Sequence, residues 1–318
     1  MPSPRADATQ SRHPLGATAL KARFDGFGPT LRGMLWTTMA GLIFTVLNTV
    51  MRVLTLELEP FEAQFLRYLC GLLVMLPWVM RTGLEAYRPN GVGGQLWRGL
   101  VHTAGLLLWF TALPQIPLAD MTAIGFTAPI FIMMGAVLVL HEKMIWERWV
   151  AAAIGFAGVL IVVAPKLSGG GGVYNLVMLA SSPMFAASFL ITKALTRRDR
   201  PEVIVLWQAL TVSLFTLPFA LIHWTWPTPM QWLLFGVCGI LGSAGHFCLT
   251  HSFKAADISA TQSVKFLDLI WASAMGFVVF GSLPSHSTII GGLVIFASTV
   301  WIARREARMV ARARSDVV

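Results

Sequence analysis

Lys265 and Asp268 are the two residues of this chain whose position most demands a chemical reason. They lie three apart in the middle of an apolar stretch, a spacing that puts both side chains on one helical face. An ionisable group inside a bilayer is costly, so it turns toward the bundle interior or a wet cavity. The pair reads either as charges met by a substrate or a proton, or as a structural ion pair in which each neutralises the other. His246 follows a Ser-Ala-Gly motif, Ser243 to Gly245, and is a candidate proton relay because imidazole titrates near neutral pH. His102 and His251 read as lying nearer the cytoplasmic helix ends, at the interface or bonded to loops.

Asn48 and Ser182 sit within the first and sixth apolar stretches. Each contacts a polar solute or hydrogen-bonds between helices. Trp109 and Trp271 lie inside spans, where an indole either stacks on a planar or cationic substrate or packs. Arg67 reads as snorkelling outward or as a partner for Glu62, and Glu142 as a cap or a partner for Arg148. The spacing of His246 and His251 is not a metal-ligand pattern. Cys70, Cys238 and Cys248 all fall in apolar runs and read as packing residues, with neither a disulfide nor a zinc framework. The chain carries no Walker motif, and no cofactor is expected.

The elements that hold these residues follow from composition. Of 318 residues, 56% are hydrophobic and 12% charged, against about 25% charged in a soluble domain. A soluble fold so composed would expose large apolar patches. That excludes a soluble globular enzyme, a disordered chain and a disulfide scaffold. A bilayer-crossing helix needs about 20 apolar residues. Ten such stretches run near 33–53, 62–80, 97–115, 120–140, 147–164, 173–193, 203–222, 231–250, 259–280 and 287–304. The polar stretch 1–32 reads as a cytoplasmic tail and not as a cleavable signal.

With the N-terminus in the cytoplasm, twenty Lys and Arg residues fall on the cytoplasmic side, Arg98 and Arg148 among them. Arg52 and Lys166 fall outside, and Arg67 and Lys265 fall within spans. This asymmetry satisfies the positive-inside rule. It also accounts for the net charge of +9 without a nucleic-acid partner.

The chain repeats itself. Phe44 corresponds to Phe185 and Arg52 to Lys193 at an offset of 141. Thr103–Ala104–Gly105 corresponds to Ser243–Ala244–Gly245 at 140, Gly158 to Ser298 at 140, and Ala119–Asp120 to Ala256–Asp257 at 137. A near-constant offset marks a structural repeat. Five spans per repeat is an odd number, so the second repeat enters the membrane from the opposite side. Inverted repeats with a midplane site between them are a transporter architecture. The fold expected is therefore all-α and integral to the membrane, with ten transmembrane helices in two inverted-topology five-helix repeats. Repeat 1 covers 33–164, a Gly-rich linker 165–172, repeat 2 173–304, and a basic cytoplasmic tail 305–318.

Three stretches resemble the EamA-like family of the drug/metabolite transporter superfamily. They are Ala119–Asp120 through Thr127–Ala128–Pro129 to Leu140–His141–Glu142; Phe253 to Asp257; and Trp271 to Gly281 with Pro284, Gly291 and Gly292. The second repeat departs from the family in Gly281–Ser282, Ser263 and Lys265. The resemblance implies a secondary transporter of the inner membrane that moves an amino-acid-like or other small organic solute by alternating access. Its substrate pathway would draw on Asn48, Trp109, Thr127, Ser182, His246, Lys265, Asp268 and Trp271. The partners expected are a small-molecule substrate and the lipid bilayer, with a homodimer left open and no nucleic acid. The competing reading is an integral-membrane enzyme acting on a lipid or isoprenoid, for which the scattered intramembrane charges offer no clustered motif.

Overall fold

The computed structural model describes residues 26–113, 115, 124–166, 172–281 and 285–315. Most of the polar tail, the linker residues 167–171, the Ala119–Asp120 correspondence and Pro284 lie outside the described residues.

The described chain is all helical. Its helices are α1 (Pro29–Leu54), α2 (Pro60–Thr82), α3 (Val92–Ala112), α4 (Ala128–Leu138), α5 (Trp146–Val163), α6 (Val173–Leu195), α7 (Pro201–Ala220), α8 (Pro229–Ala255), α9 (Ile258–Lys265), α10 (Leu267–Phe280) and α11 (His286–Ser315). α9 and α10 are two halves of one crossing, Ile258–Val279, interrupted at Phe266. Counted so, ten helices match the ten apolar stretches.

Local sequence sets the starts. Proline opens α1, α2, α7 and α8, where its missing N–H costs nothing and its φ is already helical. Thr228 and Gln231 form a capping box at α8. The last helix outruns its expected end at 304 and continues to Ser315.

Eight of these crossings are long and apolar enough to span a membrane. α3 is long enough, but it carries Gln95, Arg98, His102 and Thr103, all buried. It is polar toward the bundle and apolar outward, where Trp97 and Leu100 are exposed. The whole molecule shares that inside-out pattern. Large apolar side chains such as Leu42, Leu214, Leu233, Leu293 and Phe296 face outward, while Gln64, Gln208 and Thr211 are buried. Lipid tails supply the solvent that makes this arrangement stable.

Helix packing carries the repeat into three dimensions. α1 packs on α8 and α6 on α3, so the first helix of each half meets the third of the other. α2 packs on α7, and α5 on α11, each an equivalent pair. The correspondence holds at single residues. A Cβ built on Gly245 would lie 2.7 Å from the Phe44 ring, and one on Gly105 would lie 3.1 Å from the Phe185 ring. These are the same glycine–phenylalanine contact made twice, with its two sides exchanged between halves. Likewise Ser298 donates to the Ala151 carbonyl at 2.9 Å, and a Cβ on Gly158 would come 3.0 Å from the Gly291 carbonyl.

Candidate functional site

The polar interior gathers where α2, α3, α6, α7 and α8 converge. Arg98 is 2% exposed and is held by three neutral acceptors. Its Nε donates to Thr192 Oγ1 at 2.5 Å, one terminal nitrogen to the Ile204 carbonyl at 2.9 Å, and the other to Gln208 Oε1 at 2.5 Å. The planar guanidinium fork suits such a fixed set. By accepting from Arg98, Gln208 is left with its amide nitrogen toward His246 Nε2, 3.5 Å away.

Tyr68 lies between two histidines, with its hydroxyl 2.9 Å from His102 Nε2 and 3.4 Å from His246 Nε2. His102 Nδ1 lies 3.1 Å from Ser188 Oγ on α6. The Arg67 guanidinium stacks 4.8 Å over the Tyr68 ring. The Phe44 ring meets His246 edge-on at 5.0 Å.

A narrow cleft, about wide enough for a single water molecule, opens beside this group, lined by Arg67, Tyr68, Gln208, Ser243 and His246 among others. Among the described residues neither Arg67 nor Arg98 makes an ion pair. Three buried donor-capable nitrogens have no partner there: Gln64 Nε2, Arg67 Nε and His246 Nδ1. Buried polar atoms are normally satisfied, so a group rich in acceptors fits the chemistry of this region.

Two further groups sit at equivalent helix crossings. Where α4 meets α6, Thr127 Oγ1 donates to the Ile124 carbonyl at 2.6 Å and to Ser182 Oγ at 3.2 Å. Trp109 and Ile124 pack against the same small cluster, Ala112 and Met178, and Trp109 meets Phe185 edge-on at 6.2 Å. Where α10 meets α1, Lys265 donates to Asp268 Oδ2 at 2.6 Å, both side chains about a fifth exposed. Asp268 approaches Gly41 so closely that a Cβ there would overlap its carboxylate. Thr127 and Ser182 correspond to Asp268 and Gly41 at the 141-residue offset. One crossing thus carries two hydroxyls, and its partner carries a carboxylate against glycine. Trp271 packs against the apolar cluster around Phe266, with Nε1 unpartnered among the described residues. Asn48 is exposed on α1, two turns beyond Gly41.

Several sequence expectations change. His102 is not bonded to a loop; it is buried against Tyr68 and Ser188. Arg98 is not a loop charge, because α3 begins at Val92 and draws it inside. Glu62 does not pair with Arg67. It accepts from the Thr225 backbone and hydroxyl, each at 3.0 Å, while Arg67 turns toward Gln64. Glu142 is a cap, but of α9: it accepts from the Ile258 and Ser259 amides at 2.7 and 3.1 Å. Arg148 pairs instead with Asp257 and Glu306 at 3.2 and 3.0 Å. Sequence reading missed Tyr68 and Arg98. The signal for Arg98 was present, since Arg98 and His102, four apart, fall on one face of the predicted helix 97–115.

The sequence profile of the EamA-like transporter family matches residues 31–164 and 173–304. The chain is 33% identical to a riboflavin transporter of Rhizobium johnstonii, over 87% of this chain and 92% of that protein. It is 27% identical to an S-adenosylmethionine uptake transporter of Rickettsia prowazekii, over 89% and 96%. It is 23% identical to the pseudopaline exporter CntI of Pseudomonas aeruginosa, over 86% and 96%. A crystal structure 18% identical in sequence superposes with a TM-score of 0.75, over 87% of this chain and 98% of the other, a likeness of fold.

Proposed function

Because the chain belongs to the EamA-like transporter family, a family of membrane transporters and not of lipid-modifying enzymes, we propose that this small-metabolite transporter carries a planar, acceptor-rich solute of the riboflavin kind through the cleft between its two repeats. The observation that carries this reading is the lining of the cleft. Arg67, Gln208 and His246 offer nitrogens, Tyr68 adds an aromatic ring over which Arg67 is stacked, and no Asp or Glu is among the lining residues. An isoalloxazine presents carbonyl oxygens along one edge and a stacking face on each side. A guanidinium and an amide complement that edge, and aromatic rings complement the faces. The 33% identity to a riboflavin transporter points the same way.

A second reading has its own observation. The Lys265–Asp268 pair offers a carboxylate at the broken crossing. A cationic solute, as in the S-adenosylmethionine relatives, would displace Lys265 from it.

The pathway we assign combines His246 and the cleft with the two crossing groups: Trp109, Thr127 and Ser182 on one side, and Asn48, Lys265, Asp268 and Trp271 on the other. Alternating access follows from rocking one repeat, 33–164, against the other, 173–304. Both groups come from one chain, so the pathway needs no homodimer. The positive-inside rule puts both termini in the cytoplasm of an inner-membrane protein.

The test is uptake and counterflow by purified protein in liposomes against riboflavin, S-adenosylmethionine and a panel of amino acids. Saturable riboflavin counterflow that falls at least tenfold in Arg67→Gln supports the reading. Counterflow of S-adenosylmethionine alone, lost in Asp268→Asn, would replace it with the second.

A further inference from the structure

We propose that Tyr68, His102 and His246 form one shared proton site that couples transport to the proton gradient, an inference that rests on the cleft being the substrate site. The three groups come from α2, α3 and α8. The Tyr68 hydroxyl stands between the two imidazoles, 2.9 Å from His102 Nε2 and 3.4 Å from His246 Nε2, and the ring centroids of the histidines are 6.0 Å apart. His102 continues to Ser188 on α6, so the chain of contacts crosses from one repeat to the other. A hydroxyl accepts one proton while donating another, which makes it the natural link between two bases.

The step balances without any other reagent. A proton from cleft water binds His246, giving an imidazolium. Its Nε2–H passes to the Tyr68 oxygen as the Tyr68 hydroxyl proton moves to His102 Nε2. The His102 ring then holds the charge, with Nδ1–H donating to Ser188. One proton has entered, none has been lost, and no electron has moved. Rotation of the Tyr68 hydroxyl resets the link.

His246 is the entry point because it lines the cleft, and Nε2, which the Gln208 amide nitrogen and the Tyr68 hydroxyl face, is the nitrogen that takes the added proton. The charged and polar groups that face this site are Arg67 and Gln64 from α2, Arg98 from α3, Ser188 from α6 and Gln208 from α7. Lys265 is the charge of α9 that acts on His246, and it is paired with Asp268. None of the groups in direct contact is acidic. An added proton therefore shares the region with two guanidiniums, and an acceptor-rich solute in the cleft offsets that charge. Proton and solute favour each other's binding, and this coupling free energy is what symport requires.

The experiment uses the full chain in liposomes with an internal pH dye. An acid gradient is imposed on the side from which solute enters. The wild type is expected to accumulate riboflavin at least tenfold above the gradient-free level, with a matching proton influx. His102 does not itself line the cleft; it meets Tyr68 and the His246 ring from behind. His102→Gln is expected to keep riboflavin counterflow while losing both accumulation and proton influx. Equal accumulation by wild type and His102→Gln overturns the proposal, as does wild-type counterflow that ignores the gradient. In either case the substrate reading still stands. If no solute in the panel moves, the substrate reading fails. The proton site is then judged in the ligand-free protein by 15N-histidine NMR, with signals assigned by single replacements. Coupled titration of His102 and His246 that separates in Tyr68→Phe supports the site, and independent titration in the wild type overturns it.

Discussion

The residue that ties the site together is Arg98. A buried guanidinium cannot shed its charge, and its stability depends on filling every donor direction. Thr192, Ile204 and Gln208 each take a bond from one of its three nitrogens, all from the other repeat. Arg98→Lys keeps the charge but loses the fork, so two of the three acceptors go unmet. We expect a loss of about 2–3 kcal/mol, the scale of a hydrogen bond to a charged group, read as a lower unfolding midpoint in detergent. We also expect weaker solute binding, because Gln208 is no longer held with its amide nitrogen toward His246. The sequence showed the chemistry of this residue but not its location. Arg98 is the second residue of the predicted span 97–115, and charge counting assigned it to a loop because a lone arginine at a helix end snorkels as readily as it buries. What decides is where α3 starts. Its start at Val92 depends on a tertiary anchor, Asp199, which accepts from Gln95 at 2.8 Å. Tyr68 was invisible for a related reason: a tyrosine in a span gains meaning only from two histidines that are 34 and 178 residues away.

At the scale of elements, the break between α9 and α10 is the feature with consequences. Lys265 ends one half and Asp268 begins the other, so the ion pair bridges the interruption. The start of α9 is fixed from outside by Glu142, which takes two backbone amides and the Ser259 hydroxyl. A carboxylate at a helix N-terminus also meets the positive end of the helix dipole. Glu142→Ala should cost about 1–2 kcal/mol, as for a lost N-cap, with faster amide exchange confined to Ile258 and Ser259. Unchanged exchange there would show that α9 starts without the cap. The ten helices were legible from apolar runs and breakers, because bilayer thickness dictates length. The break was not legible: Phe266 is neither Pro nor Gly, and the flanking sequence carries no local stop signal.

For the whole molecule, the two halves are one design used twice. The 140-residue offset in the sequence becomes matched contacts, Phe44 on Gly245 and Phe185 on Gly105. Sidedness can be tested directly. Glu142, Arg148, Asp257 and Glu306 gather at one end, and Glu62 and Thr225 at a different one, as alternating crossings require. In a background with Cys70, Cys238 and Cys248 replaced by alanine, Arg88→Cys should react with a membrane-impermeant maleimide only after permeabilisation. His223→Cys should react in intact cells. The reverse pattern would invert the orientation.

The central claim is that solute passes through the cleft beside Tyr68 and His246. Ser243, in the same cysteine-free background, lines that cleft and sits in the third helix of the second repeat. The most direct measurement is riboflavin counterflow in liposomes by Ser243→Cys before and after a methanethiosulfonate reagent. The account predicts that modification abolishes counterflow and that saturating riboflavin slows the modification at least tenfold. Undiminished counterflow by fully modified protein would contradict it.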